Sequence, residues 1–127
     1  MKARILDTAL TAEQRLAALR TLRFSSPLER TAEVVESMLA LLEASGEADV
    51  RADICRQLDK VTDPRFQAAL LFRVMRDPSA KVREEAAESL GPMAGDPAVK
   101  AALEQAAAGD ADERVRRQAE RSLKGRR

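Results

Sequence analysis

Apolar residues along this chain return every three or four positions, the spacing that lines one face of an α-helix, and no stretch requires a strand. Eight such stretches are predicted as helices, at about 2–10, 11–23, 27–45, 47–60, 64–76, 79–90, 97–108 and 111–124. The third is the most apolar: Val34, Val35, Met38, Leu39, Leu41 and Leu42 cover more than half its circumference, which predicts burial on two sides. The fifth takes its bulk from Phe66, Leu70, Leu71, Val74 and Met75. The seventh is mostly alanine around Val99 and Leu103, so its neighbours must approach closely.

Proline and glycine fall between these stretches. Ser26-Pro27, Asp63-Pro64, Asp77-Pro78 and Asp96-Pro97 each predict a side-chain acceptor at the N-cap and proline at the first helical position, where an N–H would have no partner. Thr11 with Gln14 forms a capping-box pattern for the second helix. Gly46, Gly91, Gly95, Gly109 and Gly125 follow apolar runs, predicting left-handed caps.

One segment, DPSAKVREEAAESLG from Asp77 to Gly91, supplies a template for the rest. Its spine is Val82, Arg83, Ala86 and Leu90, with Asp77 six places before the arginine. The spine recurs at Val115, Arg116, Ala119 and Leu123 with Asp110, more loosely at Val50, Arg51, Ile54 and Leu58, and faintly at Gln14, Arg15, Ala18 and Leu22. The offsets of 36, 32 and 33 residues are those of stacked helix pairs, each too thin to bury its own apolar stripe. The predicted fold is therefore all-α, a right-handed α-solenoid of about four helix-pair repeats and about eight helices. The repeats fall at about 2–24, 27–60, 64–91 and 97–124, within a single domain of residues 1–127.

Composition agrees with that picture. The 127 residues are 45% apolar, dominated by Ala and Leu, and 34% charged, a helix-favouring mixture. A formal charge of +1 gives no global attraction to polyanions. It is unevenly spread, with seven cations between Arg114 and Arg127. Cys55 has no partner for an intrachain disulfide and sits where a helix buries a small residue; a reducing, cytoplasmic setting is expected. The first ten residues carry Arg4 and Asp7 and no long apolar run, so neither a signal peptide nor a membrane span is expected.

The residues Asp77-Pro78, Val82-Arg83, Ala86 and Leu90, and Asp110, Val115-Arg116, Ala119 and Leu123, resemble HEAT repeats, more closely the short bacterial form also found in phycobilin-lyase-like proteins. The likeness is good over about 47–124 and weaker before, where Ala9 and Gln14 replace the acid and the valine. It implies a structural ladder in which the acid caps the second helix of its pair and the arginine reaches the acid of a neighbouring repeat. Its members would be Asp77, Arg83, Asp110, Arg116 and Arg51. Ser45 stands where the second repeat's acid would be, so a break is expected at Arg51. Tetratricopeptide repeats share the period but need bulky aromatics, and this chain has no Trp or Tyr.

The absence of histidine removes His-based triads, imidazole acid–base catalysis and His-containing metal sites, and one cysteine removes thiolate zinc sites. The glycines never cluster into a phosphate-cradling loop. Glu84, Glu85 and Glu88 read as a solvated helix face, and Asp110, Asp112 and Glu113 as a helix start favoured by the dipole. No cofactor, metal or catalytic residue is expected.

The surface left for work is the inner wall made by the second helix of each pair. With the valine as position zero, positions two and six lie beside each other, away from the core set zero, four and eight. They are Leu16 and Arg20, Ala52 and Arg56, Glu84 and Glu88, and Arg117 and Arg121. This stripe is the expected docking site for an acidic or mixed-charge peptide, although Arg56 and Glu88 could simply pair between repeats for under about 1 kcal/mol. The expected function is a non-enzymatic protein–protein interaction module with a protein partner. The resemblance also evokes an enzyme or enzyme subunit of the phycobilin-lyase-like type, for which the chain has arginines for propionates but no His, Tyr or Trp. It evokes HEAT-like DNA glycosylases as well, but of the three Phe, Phe66 and Phe72 are expected in the core, which allows only weak, salt-dependent nucleic-acid contact.

Overall fold

The computed structural model describes residues 38–43, 45–57 and 64–124, and all secondary structure among them is helical. Residues 38–43 are helical, followed by α1 (Ala48–Gln57), α2 (Pro64–Arg76) and α3 (Ala80–Leu90). A 3-10 turn (Gly91–Met93) leads to α4 (Pro97–Gly109) and α5 (Glu113–Leu123). The helices predicted at about 2–10 and 11–23, and most of that at 27–45, lie outside the described residues.

These helices form two layers of a stack. α2 packs on α3 and α4 on α5 as hairpins; α2 meets α4 in one layer, while α1 meets α3 and α3 meets α5 in the other. The core between the layers comes from the predicted spine. Val50, Ile54, Val82, Ala86, Leu90, Val115 and Ala119 are buried, facing Phe66, Leu70, Val74, Val99 and Leu103 from the other layer. Alanine at Ala86, Ala87, Ala102 and Ala106 lets the helices approach closely.

Phe72 and Met75 depart from expectation. Assigned to the bulk of the core, they are 52% and 42% exposed, because the buried face of α2 is filled by Phe66, Leu70 and Val74.

The helix starts also differ in detail. Asp96 caps α4, accepting from the Ala98 and Val99 N–H groups with Pro97 in the first helical position, as predicted. Before α3, however, the cap is Ser79, which accepts from the Val82 N–H, and Pro78 lies outside the helix. α5 begins at Glu113 under an Asp112 cap, two residues later than predicted. Among the described residues the left-handed caps are absent: none of Gly46, Gly91, Gly95 and Gly109 has φ in the left-handed region, and Gly125 lies outside those residues. At Gly91 (φ −50°) a Cβ would lie 3.4 Å from Ser122 Oγ and 3.7 Å from its Cα, ordinary van der Waals contact, so neither conformation nor space demands glycine there.

Candidate functional site

Two ladders tie the repeats together, and the first consists of the paired arginines and aspartates. Arg51 Nε and Nη2 donate to Asp77 Oδ2 and Oδ1 at 2.9 and 3.1 Å. One repeat on, Arg83 makes the same fork to Asp110 at 2.9 and 3.2 Å. Each arginine also uses Nη1 on the backbone carbonyl six residues earlier: Arg51 on Ser45, Arg83 on Asp77 and Arg116 on Asp110, at 3.0, 2.8 and 2.6 Å. That second contact aims the guanidinium, so its planar fork meets the next carboxylate edge-on.

Two expectations about the ladder need correction. Ser45 does not break it at Arg51, because the arginine pairs forward with Asp77 and needs only the carbonyl of residue 45, which any side chain leaves in place. Ser45 Oγ even reproduces the local turn, accepting from Glu47 N–H as Asp77 accepts from Ser79 and Asp110 from Asp112. Nor are the aspartates the N-caps of the second helices, which are Ser79 and Asp112. Each sits two residues before the N-cap and secures the turn into the helix.

Asp77 is the most heavily engaged group, buried and taking four hydrogen bonds, two from Arg51, one from Arg73 and one from the Ser79 N–H. Burial is the largest single influence and pushes its carboxyl up. The hydrogen bonds from Arg51, Ser79 and Arg73 together outweigh it and hold the pKa below the ordinary carboxylate value.

The second ladder was not foreseen. Ser89 Oγ donates to the Cys55 carbonyl at 2.6 Å and Ser122 Oγ to the Ala87 carbonyl at 2.8 Å, both buried and both joining consecutive repeats. Gln118 Nε2 donates to Ser122 Oγ at 3.2 Å. The serines are 33 residues apart at the seventh position of the repeat, and that recurrence was the available signal. Cys55, beneath Ser89, is fully buried, and burial pushes its thiol up to about 12. Alkylation of the native protein at about pH 8 is expected to be far slower than that of the denatured chain; equal rates would contradict this burial.

The predicted inner stripe is only partly assembled. Leu16 and Arg20 lie outside the described residues. Ala52 is buried at 1% exposure, so it cannot line a docking surface; it packs within the core. Arg56 is exposed but bridges Asp53 and Glu85 at 2.9 and 3.0 Å rather than Glu88. At this contact position six of one repeat meets position three of the next. Glu84 and Glu88 are half-buried and make no ion pair among the described residues. Arg117 pairs with Glu113 at 2.7 Å and Arg121 donates to Gln118 at 3.0 Å. Arg117 and Arg121 are thus engaged locally, as is Arg114, which meets Asp112.

The layer of α2 and α4 exposes large apolar side chains. Along α2, Arg65, Ala68, Phe72, Met75 and Arg76 are all exposed at helical spacing. The Arg73 guanidinium carbon lies 4.8 Å from the Phe72 ring centroid while its Nη1 holds Asp77 at 3.1 Å, bracing the exposed ring on the ladder. Clefts flank the ridge: one of about 180 Å³ lined by Leu42, Glu43, Ala69, Phe72 and Arg73, the other of about 190 Å³ lined by residues including Met75 and Gln105. Each is below the ~300 Å³ at which pockets for drug-sized ligands begin, and suits a single side chain.

A family profile for HEAT repeats matches residues 35–124. The chain belongs to the HEAT-repeat family. Comparison with the curated proteins gave no match. Among solved structures, this HEAT-repeat chain is similar to human deoxyhypusine hydroxylase in complex with glycerol, at 28% identity and a TM-score of 0.76. The alignment covers 98% of this chain and 41% of that one, so the HEAT-repeat chain spans less than half the length of that relative. No group of three or more His, Cys, Asp or Glu side chains able to hold a metal ion occurs among the described residues. None of the described helices is long and apolar enough to cross a membrane.

Proposed function

We propose that this HEAT-repeat chain is a non-enzymatic, cytoplasmic protein-interaction module, with the α2 ridge as its principal contact surface. Extending the observed register toward residue 1 gives four repeats and eight helices in a right-handed stack. The observation that carries the functional reading is the exposure of Phe72 and Met75 side by side in a stack whose buried Arg51, Asp77, Ser89 and Ser122 side chains are committed to joining repeats. Large apolar side chains left in water on a rigid support are the usual centre of a protein contact. The small flanking clefts favour side-chain anchors over a small-molecule substrate, and the chain has no histidine for the commonest acid–base chemistry. The likeness to deoxyhypusine hydroxylase supports the shared scaffold.

The test is recovery of the tagged protein from its own cells with a photo-crosslinking residue at position 72 or at position 121. A stoichiometric protein crosslinked from 72, and binding reduced at least tenfold in the F72S/M75S variant, is the expected result. Loss of binding in R56E/R121E with F72S/M75S unaffected would return the contact to the inner stripe. Absence of any stoichiometric protein would overturn the proposal. Both ridge side chains are exposed, so F72S/M75S is expected to change stability by under about 1 kcal/mol.

A further inference from the structure

The two clefts beside α2 are repeats of one another. Leu42, Phe72 and Arg73 line the first, and their counterparts 32 or 33 places on, Val74, Gln105 and Ala106, line the second. The volumes of about 180 and 190 Å³ are nearly equal, and each cleft has a buried aliphatic side chain in its lining, Leu42 or Val74. α2 stands between them and contributes Phe72 to one and Met75 to the other. The stack thus presents the same side-chain-sized recess twice. Packed helices stand about 8–10 Å apart, and the recesses are displaced by about three residues, ~4.5 Å, along α2, so about 10 Å separates them.

We propose that the twin clefts hold a short polyproline II segment of a partner protein, with uncharged apolar side chains three residues apart, one in each cleft. This rests on the reading of the α2 ridge as a contact surface and names its occupant. Spacing is the first reason. Polyproline II returns to the same face every third residue, about 9 Å on. A β-strand returns after about 6.6 or 13 Å and misses the second recess. An α-helix matches at its seventh residue, about 10.5 Å on, but its third and fourth residues point the same way and would collide with Phe72 and Met75. Hydrogen bonding agrees. Gln105 and Arg76 are exposed donors with no partner among the described residues. A polyproline II backbone leaves its carbonyls free to accept from them, whereas a helix uses its own internally. Charge disfavours an acidic or a basic tract, because Glu43 and Arg76, exposed beside the ridge without ion pairs among the described residues, have opposite signs. Area disfavours a second copy. Phe72 and Met75 are the exposed large apolar side chains among the described residues, far short of the ~800 Å² per partner that a stable dimer buries. Aromatic-lined grooves are the usual seat of polyproline II segments.

The experiment presents the folded chain with a displayed library of random peptides and aligns the sequences retained. Apolar pairs three residues apart, with proline enriched in or beside the pair, are the expected result. The best peptide should lose at least tenfold in affinity when one residue is inserted between its pair. It should lose as much on A69L, which fills the first cleft, and on G109L, which fills the second. A Cβ at Gly109 meets nothing within 4 Å, so G109L is expected to melt as the wild type does by circular dichroism. Should A69L melt early, G109L and the insertion decide alone. Failure to enrich any peptide, apolar pairs four or seven apart, an insertion without effect, or wild-type affinity in either folded filled variant would each overturn the segment. Dimers of the chain that F72S/M75S abolishes would overturn it too, placing a second copy on the ridge. If the protein crosslinked from position 72 binds A69L and G109L normally and fails on F72S/M75S, the twin-cleft segment alone falls. If it binds F72S/M75S normally as well, the ridge falls with it.

Discussion

Replacing Asp77 with alanine is expected to destabilise the protein by about 3–5 kcal/mol, a large share of the ~5–15 kcal/mol that separates a domain from its unfolded state. The loss is far above that of a surface ion pair because Asp77 has no exposed side-chain surface and its main partner Arg51 only 8%. Without the carboxylate, Arg51 and Arg73 are left as cations with little water to replace their partner. Asp110→Ala should cost less, because the Arg83 side chain is 17% exposed and can be rehydrated. Urea unfolding followed by circular dichroism measures both, and an Asp77→Ala cost under about 1 kcal/mol would contradict the buried fork.

Acid provides a second readout of the same group. The folded pKa of Asp77 lies below its unfolded value, so its contribution is complete above the unfolded value, near ~3.9, and disappears as pH falls through the folded one. The stability gap between the wild type and Asp77→Ala should therefore be constant near neutral pH and narrow below about pH 4. A gap independent of pH would mean that Asp77 acts by packing and not by charge.

Phe66→Ala is the second large effect, expected at about 3–5 kcal/mol, with Phe72→Ala under about 1 kcal/mol. The two rings lie on the same helix six residues apart, yet Phe66 is fully buried and Phe72 is 52% exposed. Removing Phe66 opens a cavity between the layers that surrounding side chains cannot fill without moving helices. Removing Phe72 mainly removes ring surface already in water, together with its contact to Arg73. Equal losses at the two positions would place Phe72 in the core and remove the basis for a contact ridge.

What the sequence determined by itself was local and periodic. Helix content, the buried spine of valine, alanine and leucine, and the pairing of helices at a period near 33 follow from one helix face and its recurrence, which a linear pattern records directly. The Asp–Arg recurrence was equally legible.

The tertiary structure decided how one repeat registers on the next. Arg51 pairs forward past Ser45, Arg56 meets Glu85 in place of Glu88, and Ser89 reaches the Cys55 carbonyl. It also decided which side of α2 faces water, leaving Phe72 and Met75 outside, and it turned Ala52 inward. The physical reason is that helical periodicity specifies angles about one axis. Contacts between repeats depend on the shift and rotation between separate axes, which close packing settles only when all the side chains are present together.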